Sequence, residues 1–257
     1  MRNFTSVNDI ESIKRAIENA KYVKENPFAD QHLGKNKTIM LIFFNASLRT
    51  RLSTQKAALN LGMNAIVLDI NQGAWKLETE RGVIMDGDKS EHILEAIPVI
   101  GSYCDIIGVR SFAKFEKKSD DYEEVIINQF IKYSGRPVIS LESATVHPLQ
   151  SYADLITIEE YKKCEKPKVV LTWAPHPKSL PQAVANSFSE WMNRTDYEFV
   201  ITHPKGYELD EKFVQGARVE YDQEKAFEGA DFIYAKNWSV YQDPNYGKIL
   251  CNDPDWT

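Results

Sequence analysis

The sequence contains little cysteine and no long apolar segment. Its three cysteines, Cys104, Cys164 and Cys251, stand far apart among 257 residues and form no Cys-x-x-Cys pair. A disulfide framework is therefore excluded, and we expect reduced thiols. No run approaches the roughly 18 apolar residues of a membrane-spanning helix, and the polar N-terminus lacks the apolar core of a signal peptide. We predict a soluble protein of the cytoplasm that does not bind a membrane.

The sequence also lacks an excess of positive charge. It has 31 Lys plus Arg against 37 Asp plus Glu, a net charge of −6, which argues against nucleic acid as a partner. No Gly-x-Gly-x-x-Gly, His-Glu-x-x-His or paired Cys/His spacing occurs, so nothing predicts a dinucleotide cofactor or a metal. A small anionic substrate would need a local cluster of cationic groups.

Short apolar runs rich in β-branched residues recur along the chain and predict buried strands. They lie at 37–44, 65–70, 105–110, 137–141, 168–174, 197–203, 217–222 and 231–237. Helical patterns separate them, for example at 49–61 and 123–134. Each of these two ends just before a glycine, Gly62 or Gly135, that can adopt the left-handed conformation of a helix cap.

This alternation predicts an α/β protein with two doubly wound, parallel-sheet domains in tandem. We place the first domain at 1–150 and the second at 151–257. The amphipathic segment 148–163 stops ahead of Pro167 and can bridge the two halves as one helix.

The turn after the first strand is dense in hydrogen-bond donors. Residues 45–51, Asn-Ala-Ser-Leu-Arg-Thr-Arg, lead directly into a helix, whose free N–H groups and dipole favour an anion. A simple cap at Ser47 with solvated arginines explains this segment about equally well. Arg110, His147 and Gln150 favour the anion site over the simple cap, because each ends or follows a strand of the same predicted sheet. The pattern predicts a phosphate site without a glycine-rich loop.

Two motifs carry a resemblance to a known family. The segment SLRTR (47–51) and the tetrad HPLQ (147–150) resemble the Ser-x-Arg-Thr-Arg and His-Pro-x-Gln motifs of the aspartate and ornithine transcarbamylases. The segments FFNASLRTRLSTQKAALNLGMN, NQGAWKLETERGVIMDGD and THPKGYELD are similar to the acyl-ornithine branch, and the resemblance runs from residue 1 to 257. It implies the transcarbamylase fold. It also implies transfer of the carbamoyl group from carbamoyl phosphate to the δ-amine of an N-acylornithine in arginine biosynthesis, with no metal or cofactor.

The resemblance also implies which residues bind carbamoyl phosphate. The phosphate would be held by the turn and the first residues of its helix: Ser47, Leu48 through its backbone, Arg49 and Thr50. Arg110 and His147 would reach the carbonyl oxygen, and Gln150 the carbamoyl amide. Attack by an amine builds negative charge on that oxygen, so Thr50, Arg110 and His147 would act as catalytic donors.

The loop at 71–90 contains an aromatic residue, Trp75, in a polar setting. It could be a hydrophobic plug over the sheet. The resemblance instead implies that the loop enters the active site of a neighbouring subunit, where Trp75 joins the carbamoyl phosphate ligands in trans of a homotrimer. The same branch suggests that the loop end at 86–90 sets the acyl preference, although Ser90 is not a decisive residue type.

The resemblance implies three ligands for the acylornithine, Glu142, His176 and Lys236, each at or just after the end of a predicted strand. Taken singly, each also fits a surface polar residue at the start of a loop. The chain has no Ser-Met-Gly segment, which grips a free α-amino group in the ornithine enzymes. Its absence favours a blocked α-nitrogen, with the choice between succinyl and acetyl left open.

Residues 238–257 depart from the family pattern. They contain no His-Cys-Leu-Pro segment, and the surroundings of Cys251 do not match it, so we expect the chain to be truncated relative to the family. Two alternatives stay open. One is an ornithine carbamoyltransferase, and the other is a noncatalytic module that binds carbamoyl phosphate.

Overall fold

The computed structural model describes residues 2–70, 75–250 and 256. Its strands are β1 (Thr38–Phe43), β2 (Asn64–Asp69), β3 (Leu77–Glu78), β4 (Glu91–His92), β5 (Ile106–Arg110), β6 (Val138–Glu142), β7 (Lys168–Trp173), β8 (Glu198–Thr202), β9 (Arg218–Glu220) and β10 (Phe232–Lys236). Its helices are α1 (Ile13–Glu25), α2 (Gln31–Gly34), α3 (Leu48–Asn60), α4 (Ile93–Ser102), α5 (Lys118–Tyr122), α6 (Val125–Tyr133), α7 (Pro148–Tyr161), α8 (Ala183–Met192), α9 (Glu211–Val214) and α10 (Gln223–Phe227). Each of the eight predicted apolar runs overlaps one strand, with β2 and β6 extending one residue beyond the predicted run, so those predictions are confirmed; the short strands β3 and β4 were not predicted.

The chain forms two compact units. The first contains the residues up to Thr5, Glu18–Phe112 and Glu123–Ser143, and the second contains Ser6–Ile17, Ala113–Tyr122 and the residues from Ala144 onward. We predict a carbamoyl phosphate domain at 1–150 and an acylornithine domain at 151–257. This division by binding role stays a prediction.

The first unit is built on a four-stranded parallel sheet in the order β2-β1-β5-β6. The chain moves outward from β1 to β2 and, in the opposite direction, from β5 to β6, so the sheet has a topological switch point between β1 and β5. The core under it is apolar, with Ile42, Ile97 and Phe130 completely buried. Ligands in such sheets gather at the carboxyl ends of the strands that flank the switch point.

The second unit repeats this plan with a parallel sheet in the order β10-β7-β8-β9. Its switch point lies between β7 and β10. Three fully buried tryptophans, Trp173, Trp191 and Trp238, fill its interior, and the Trp173 indole donates to the carbonyl of Trp238 at 2.9 Å. The predicted class, an α/β protein with two doubly wound parallel sheets, is confirmed.

The helix ends follow the sequence signals. Gly62 and Gly135 have φ values of 75° and 67°, the left-handed region predicted for caps after α3 and α6. The helix predicted at 148–163 as a bridge is α7, and it lies wholly within the second unit. Packing within that unit accounts for this, because Tyr152 of α7 stacks on Trp191 of α8 with ring centroids 5.0 Å apart.

No helix in the described ranges is long and apolar enough to cross a membrane.

Candidate active site

The turn between β1 and α3 presents Ser47 as the helix cap. Its Oγ accepts a hydrogen bond from the backbone N–H of Thr50 at 3.3 Å, so the capping interpretation of Ser47 is correct. The hydroxyl proton is not used by that bond and can still be donated to an anion. Leu48 and Arg49 are exposed. The first turn of α3 therefore offers backbone and side-chain donors to solvent at the carboxyl end of β1.

The two arginines of this turn have different surroundings. Arg51 forms an ion pair with Asp69 at the end of β2, and its guanidinium lies 5.2 Å from the Phe43 ring centroid. The Arg49 side chain has no ion pair or hydrogen bond within the described part of the chain. Of the two guanidiniums, Arg49 is the one available to an anion.

Arg110 is brought to Thr50 across the switch point. It ends β5, which pairs with β1, and its Nη1 lies 3.3 Å from the Thr50 Oγ1. The same Nη1 lies 2.5 Å from Oε2 of Glu142 on β6. A bulge explains this pairing: Val109 is opposite Ser140, whereas Arg110 is opposite Glu142, so one residue of β6 is passed over. Without that extra residue, the apolar Leu141 would stand opposite the arginine.

The Arg110 guanidinium is buried and electrostatically constrained. Burial lowers its pKa, and Glu142 opposes that shift, so the cation is held in a medium where its field is strong. Its central carbon, Cζ, lies 4.5 Å from the Phe112 ring centroid. The Nε–H group is buried with no hydrogen-bond partner among the described residues. An orphaned donor of this kind costs about 1–3 kcal/mol, which a ligand oxygen would recover.

Glu142 was expected among the ligands of the acylornithine. The structure places it in the first unit, 7% exposed and ion-paired with Arg110. Its carboxylate therefore lies beside the group expected to bind the carbonyl oxygen of carbamoyl phosphate.

His147 and Gln150 lie at the start of α7 in the second unit. His147 occupies the cap position with φ −130° and ψ 73°, ahead of Pro148 at the first helical position, a place where a proline costs no hydrogen bond. Its side chain is 9% exposed. One turn along the helix, the Gln150 Nε2 donates to Oδ1 of Asp154 at 2.9 Å.

Lys236 belongs to the same cluster as Asp154, and His176 does not. Lys236 ends β10, and its charge stabilises the Asp154 carboxylate, as does the neighbouring hydroxyl of Tyr234. His176 follows β7, and its Nδ1 lies 2.9 Å from the Lys178 carbonyl oxygen, so its own loop fixes the ring. No hydrogen bond or ion pair joins His176 to Lys236 in the described ranges.

Sequence reasoning missed Asp154. The sequence does contain a signal for this contact, because a glutamine and an aspartate four residues apart on one helix lie on the same face and can form a hydrogen bond. What the sequence could not show is that β10 brings Tyr234 and Lys236 to the same carboxylate.

Trp75 and Ser90 lie at the two ends of one exposed loop. Trp75 is 57% exposed. The backbone N–H of Ser90 donates to the carbonyl of Lys76 at 2.9 Å, and the Lys76 ammonium lies 2.5 Å from Asp88. These contacts join the two ends of the loop, so that Ser90 lies next to Lys76, the residue that follows Trp75. The predicted loop also includes residues 71–74, and the unmatched Cys251 belongs to the last residues; both lie outside the described residues.

Within the described residues, no group of three or more His, Cys, Asp or Glu side chains could hold a metal ion.

Comparison with known proteins gives strong matches across the chain. The family profile described as "Aspartate/ornithine carbamoyltransferase, carbamoyl-P binding domain" matches residues 2–160. The chain is 73% identical over 257 residues to the N-succinylornithine carbamoyltransferase of Bacteroides fragilis, a match that covers 100% of this chain and 81% of that protein. It is 39% identical over 254 residues to the N-acetylornithine carbamoyltransferase of Xylella fastidiosa, covering 92% of this chain and 75% of that protein.

The structural comparison gives the same kind of relative. A solved N-acetyl-L-ornithine transcarbamylase, in which one glutamate is replaced by serine, is complexed with carbamyl phosphate and N-succinyl-L-norvaline. It matches with a TM-score of 0.88 at 36% identity and covers 96% of this chain and 78% of its own.

Proposed function

Because this chain belongs to the aspartate/ornithine carbamoyltransferase family, we propose that it transfers the carbamoyl group of carbamoyl phosphate to the δ-amine of an N-acylornithine, with N-succinylornithine as the preferred acceptor. The products are an N-acylcitrulline and phosphate, as in arginine biosynthesis. The resemblance seen in SLRTR and HPLQ is thereby confirmed at the family level. The observation that carries the proposal is the contact of Arg110 with Thr50 at the switch point of the first sheet.

The first turn of α3 is the proposed phosphate site. Ser47, the backbone of Leu48, and Thr50 would donate hydrogen bonds there, and Arg49 would supply a cation that has no ion pair among the described residues. The helix dipole adds positive potential at the same point. Phosphate leaves as an anion, so these groups stabilise it without help from a metal.

The proposed ligands of the reacting carbonyl oxygen are Arg110, His147 and Thr50, and the carbamoyl amide is assigned to Gln150. As the amine attacks, the oxygen becomes negative, and a buried guanidinium with an orphaned N–H interacts more strongly with that charge than with the neutral carbonyl. Burial of Arg110 also supports the proposal because it lowers the local dielectric constant.

The proposed ligands of the acylornithine are Lys236, His176 and Glu142. Lys236, at the end of β10, suits the α-carboxylate. Glu142 lies against Arg110, which suits a carboxylate that accepts a hydrogen bond from the attacking δ-amine.

We further propose that the enzyme is a cytoplasmic homotrimer in which the loop carrying Trp75 completes the site of a neighbouring subunit. The exposure of Trp75 together with Val83, Ile84 and Met85 of the same loop supports this, because several exposed large apolar side chains in one segment mark a contact surface. Since the backbone of Ser90 is hydrogen-bonded to Lys76, a loop that places Trp75 in the neighbouring site would place Ser90 there as well.

The reaction is tested with the 257-residue chain, carbamoyl phosphate and three acceptors: succinylornithine, acetylornithine and free ornithine. We expect the citrulline-type product to form fastest with succinylornithine. Preference for free ornithine would select the ornithine carbamoyltransferase alternative. Calorimetric binding of carbamoyl phosphate without product from any acceptor would select the noncatalytic module.

The acyl preference is tested at Ser90. A related transcarbamylase with a glutamate replaced by serine is complexed with a succinylated ligand, and an anionic side chain would repel the succinyl carboxylate. We expect Ser90→Glu to lower kcat/KM for succinylornithine and to spare acetylornithine. Ser90→Gln is the matched control, since it adds similar bulk without charge. An equal loss for both acceptors would contradict a role of Ser90 in acyl choice.

A further inference from the structure

Gln150 and Asp154 form a pair on α7, one helical turn apart, joined by the 2.9 Å hydrogen bond from Nε2 to Oδ1. Because the two residues share one helix, this contact belongs to the second unit alone. We propose that Asp154 is a positioning residue that fixes the amide orientation of Gln150 and so makes the enzyme select the NH2 group of carbamoyl phosphate. This inference rests on the proposed function, in which Gln150 binds the carbamoyl amide.

The orientation follows from the hydrogen-bonding capacity of the two side chains. A glutamine amide has an NH2 end that donates and an oxygen end that accepts, whereas an ionised carboxylate only accepts. Asp154 can therefore bind only the NH2 end of Gln150. The Gln150 Oε1 is left as an acceptor for the ligand, and the ligand group that such an acceptor binds is an N–H donor.

The groups around Asp154 limit the rise of its pKa, so that the carboxylate is ionised near neutral pH. Burial raises the pKa of Asp154 to about 6, while Gln150, Tyr234 and Lys236 oppose that shift. Tyr234 is itself held by stacking on Phe188, with ring centroids 4.3 Å apart and planes within 9°. Near neutral pH the carboxylate is charged and accepts only; below about pH 6 it gains a proton, can donate, and no longer enforces one orientation of Gln150.

The consequence is discrimination between acyl phosphates of the same shape. Acetyl phosphate has a methyl group where carbamoyl phosphate has NH2, and it would leave the Gln150 oxygen unpaired. A site built to accept a hydrogen bond rejects an analogue that cannot donate it, because its own polar group is then left without a partner.

The test compares the inhibition constant of acetyl phosphate, measured as a competitive inhibitor, with the KM of carbamoyl phosphate. The ratio of these two constants is measured in the wild-type chain, in Asp154→Asn and in Asp154→Ala. We expect the ratio to fall by about tenfold in both variants, roughly the equivalent of one hydrogen bond, because each lets Gln150 turn its NH2 end to the ligand.

The matched control is Glu190→Gln, which removes another partly buried carboxylate of the same unit, on α8, whose pKa is also raised by burial. It should leave the ratio unchanged. A fall of the same size in Glu190→Gln would show a general effect of lost buried charge and would overturn the role of Asp154. An unchanged ratio in folded Asp154→Asn and Asp154→Ala would also overturn it.

A second measurement needs only the wild-type chain. The ratio should fall as the pH drops through about 6, where Asp154 takes up its proton; the titration of the phosphate group is common to both ligands and largely cancels. A constant ratio from pH 5 to 8 contradicts the proposal. Product formation by the wild type together with an unchanged ratio overturns Asp154 alone, whereas no product from any ornithine acceptor overturns the proposed function.

Discussion

Single residues at the edge of the first sheet differ in whether their charges are already paired. Arg51 is bound to Asp69 and Arg110 to Glu142, while Arg49 has no such partner in the described part of the chain. In the sequence, Arg49 and Arg51 are equivalent cations two positions apart. Residues two positions apart on a helix point to nearly opposite sides, so Arg51 of α3 reaches Asp69 of β2 while Arg49 stays at the helix start.

The division of labour between the substrates is tested by Arg49→Ala and Lys236→Ala. We expect Arg49→Ala to raise the KM for carbamoyl phosphate and lower kcat, because it removes a phosphate ligand. Lys236→Ala should raise the KM for the acylornithine more than that for carbamoyl phosphate. Steady-state kinetics with each substrate varied measure both effects.

The control for Arg49 is Lys56→Ala, since Lys56 is also an exposed cation on α3 but lies over the Phe28 ring. It should leave both KM values unchanged. Equal increases in both KM values for Arg49→Ala and Lys236→Ala would contradict the assignment.

Arg110 is predicted to serve both stability and catalysis. Arg110→Ala removes the guanidinium from the buried carboxylate of Glu142, and loss of one partner of such a pair costs about 3–5 kcal/mol. It should also lower kcat by roughly 10²–10³-fold, as loss of one oxyanion donor does. Urea unfolding and kcat measurements test the two effects separately.

The double variant Arg110→Ala/Glu142→Gln separates the two roles. It removes the buried negative charge as well, so it should recover part of the lost stability without recovering kcat. Recovery of activity along with stability would mean that Arg110 acts only by holding the fold.

Among the elements, α8 carries a partly buried carboxylate, on the side packed against α9, that no sequence pattern marks. Glu190 of α8 is a glutamate on an otherwise buried helix face, its Oε2 has no hydrogen-bond partner among the described residues, and burial raises its pKa to about 7 while Lys212 of α9 opposes the shift. Helix amphipathicity normally places such a residue in solvent. Packing of α9 against α8 decides otherwise.

Glu190 should make stability fall as the pH rises. The folded chain binds its proton more tightly than the unfolded chain, whose value is near 4.5, so this stabilisation is complete at low pH and is lost between about pH 4.5 and 7. We expect Glu190→Gln to gain roughly 1–3 kcal/mol over wild type between pH 5 and 8. Urea unfolding of the wild type and of Glu190→Gln at pH 5 and at pH 8 measures this change in the difference between their free energies of unfolding.

Glu198→Gln is the control, because Glu198 begins β8 and is exposed; its stability difference from wild type should not change with pH. If Glu190→Gln followed the same flat course, the buried position of Glu190 would not be the cause of any pH dependence.

The molecule as a whole is proposed to work as a trimer with shared sites, and mixing two inactive variants tests this. In the proposed trimer, Trp75→Ala and Arg49→Ala would each damage every site of a trimer built from that variant alone. In hybrid trimers, a site formed by Arg49 of one subunit and Trp75 of the next is intact, and random mixing would restore about a quarter of the sites. Activity assays after dissociation and reassociation of the mixture measure the recovery.

Light scattering should give the mass of three chains for each variant alone and for the mixture. A trimer that recovers no activity on mixing would contradict the role of Trp75 in trans. A monomer with full activity would contradict the shared site altogether.

The sequence by itself determined the elements and the family. Apolar runs, cap glycines and the segments SLRTR and HPLQ are local patterns, so the strands of the two four-stranded sheets, the ends of α3 and α6 and the family membership could be inferred from neighbouring residues. The residues implied for carbamoyl phosphate could be named in the same way, and their roles stay predictions for experiment.

Only the tertiary structure decided which charges meet. The bulge in β6 that sets Glu142 opposite Arg110, and the strand β10 that brings Tyr234 and Lys236 to Asp154, join residues far apart in the chain. Burial then shifts the pKa values of Arg110, Asp154 and Glu190. Desolvation and pairing depend on what packs around a group in space, and no spacing along the sequence records that.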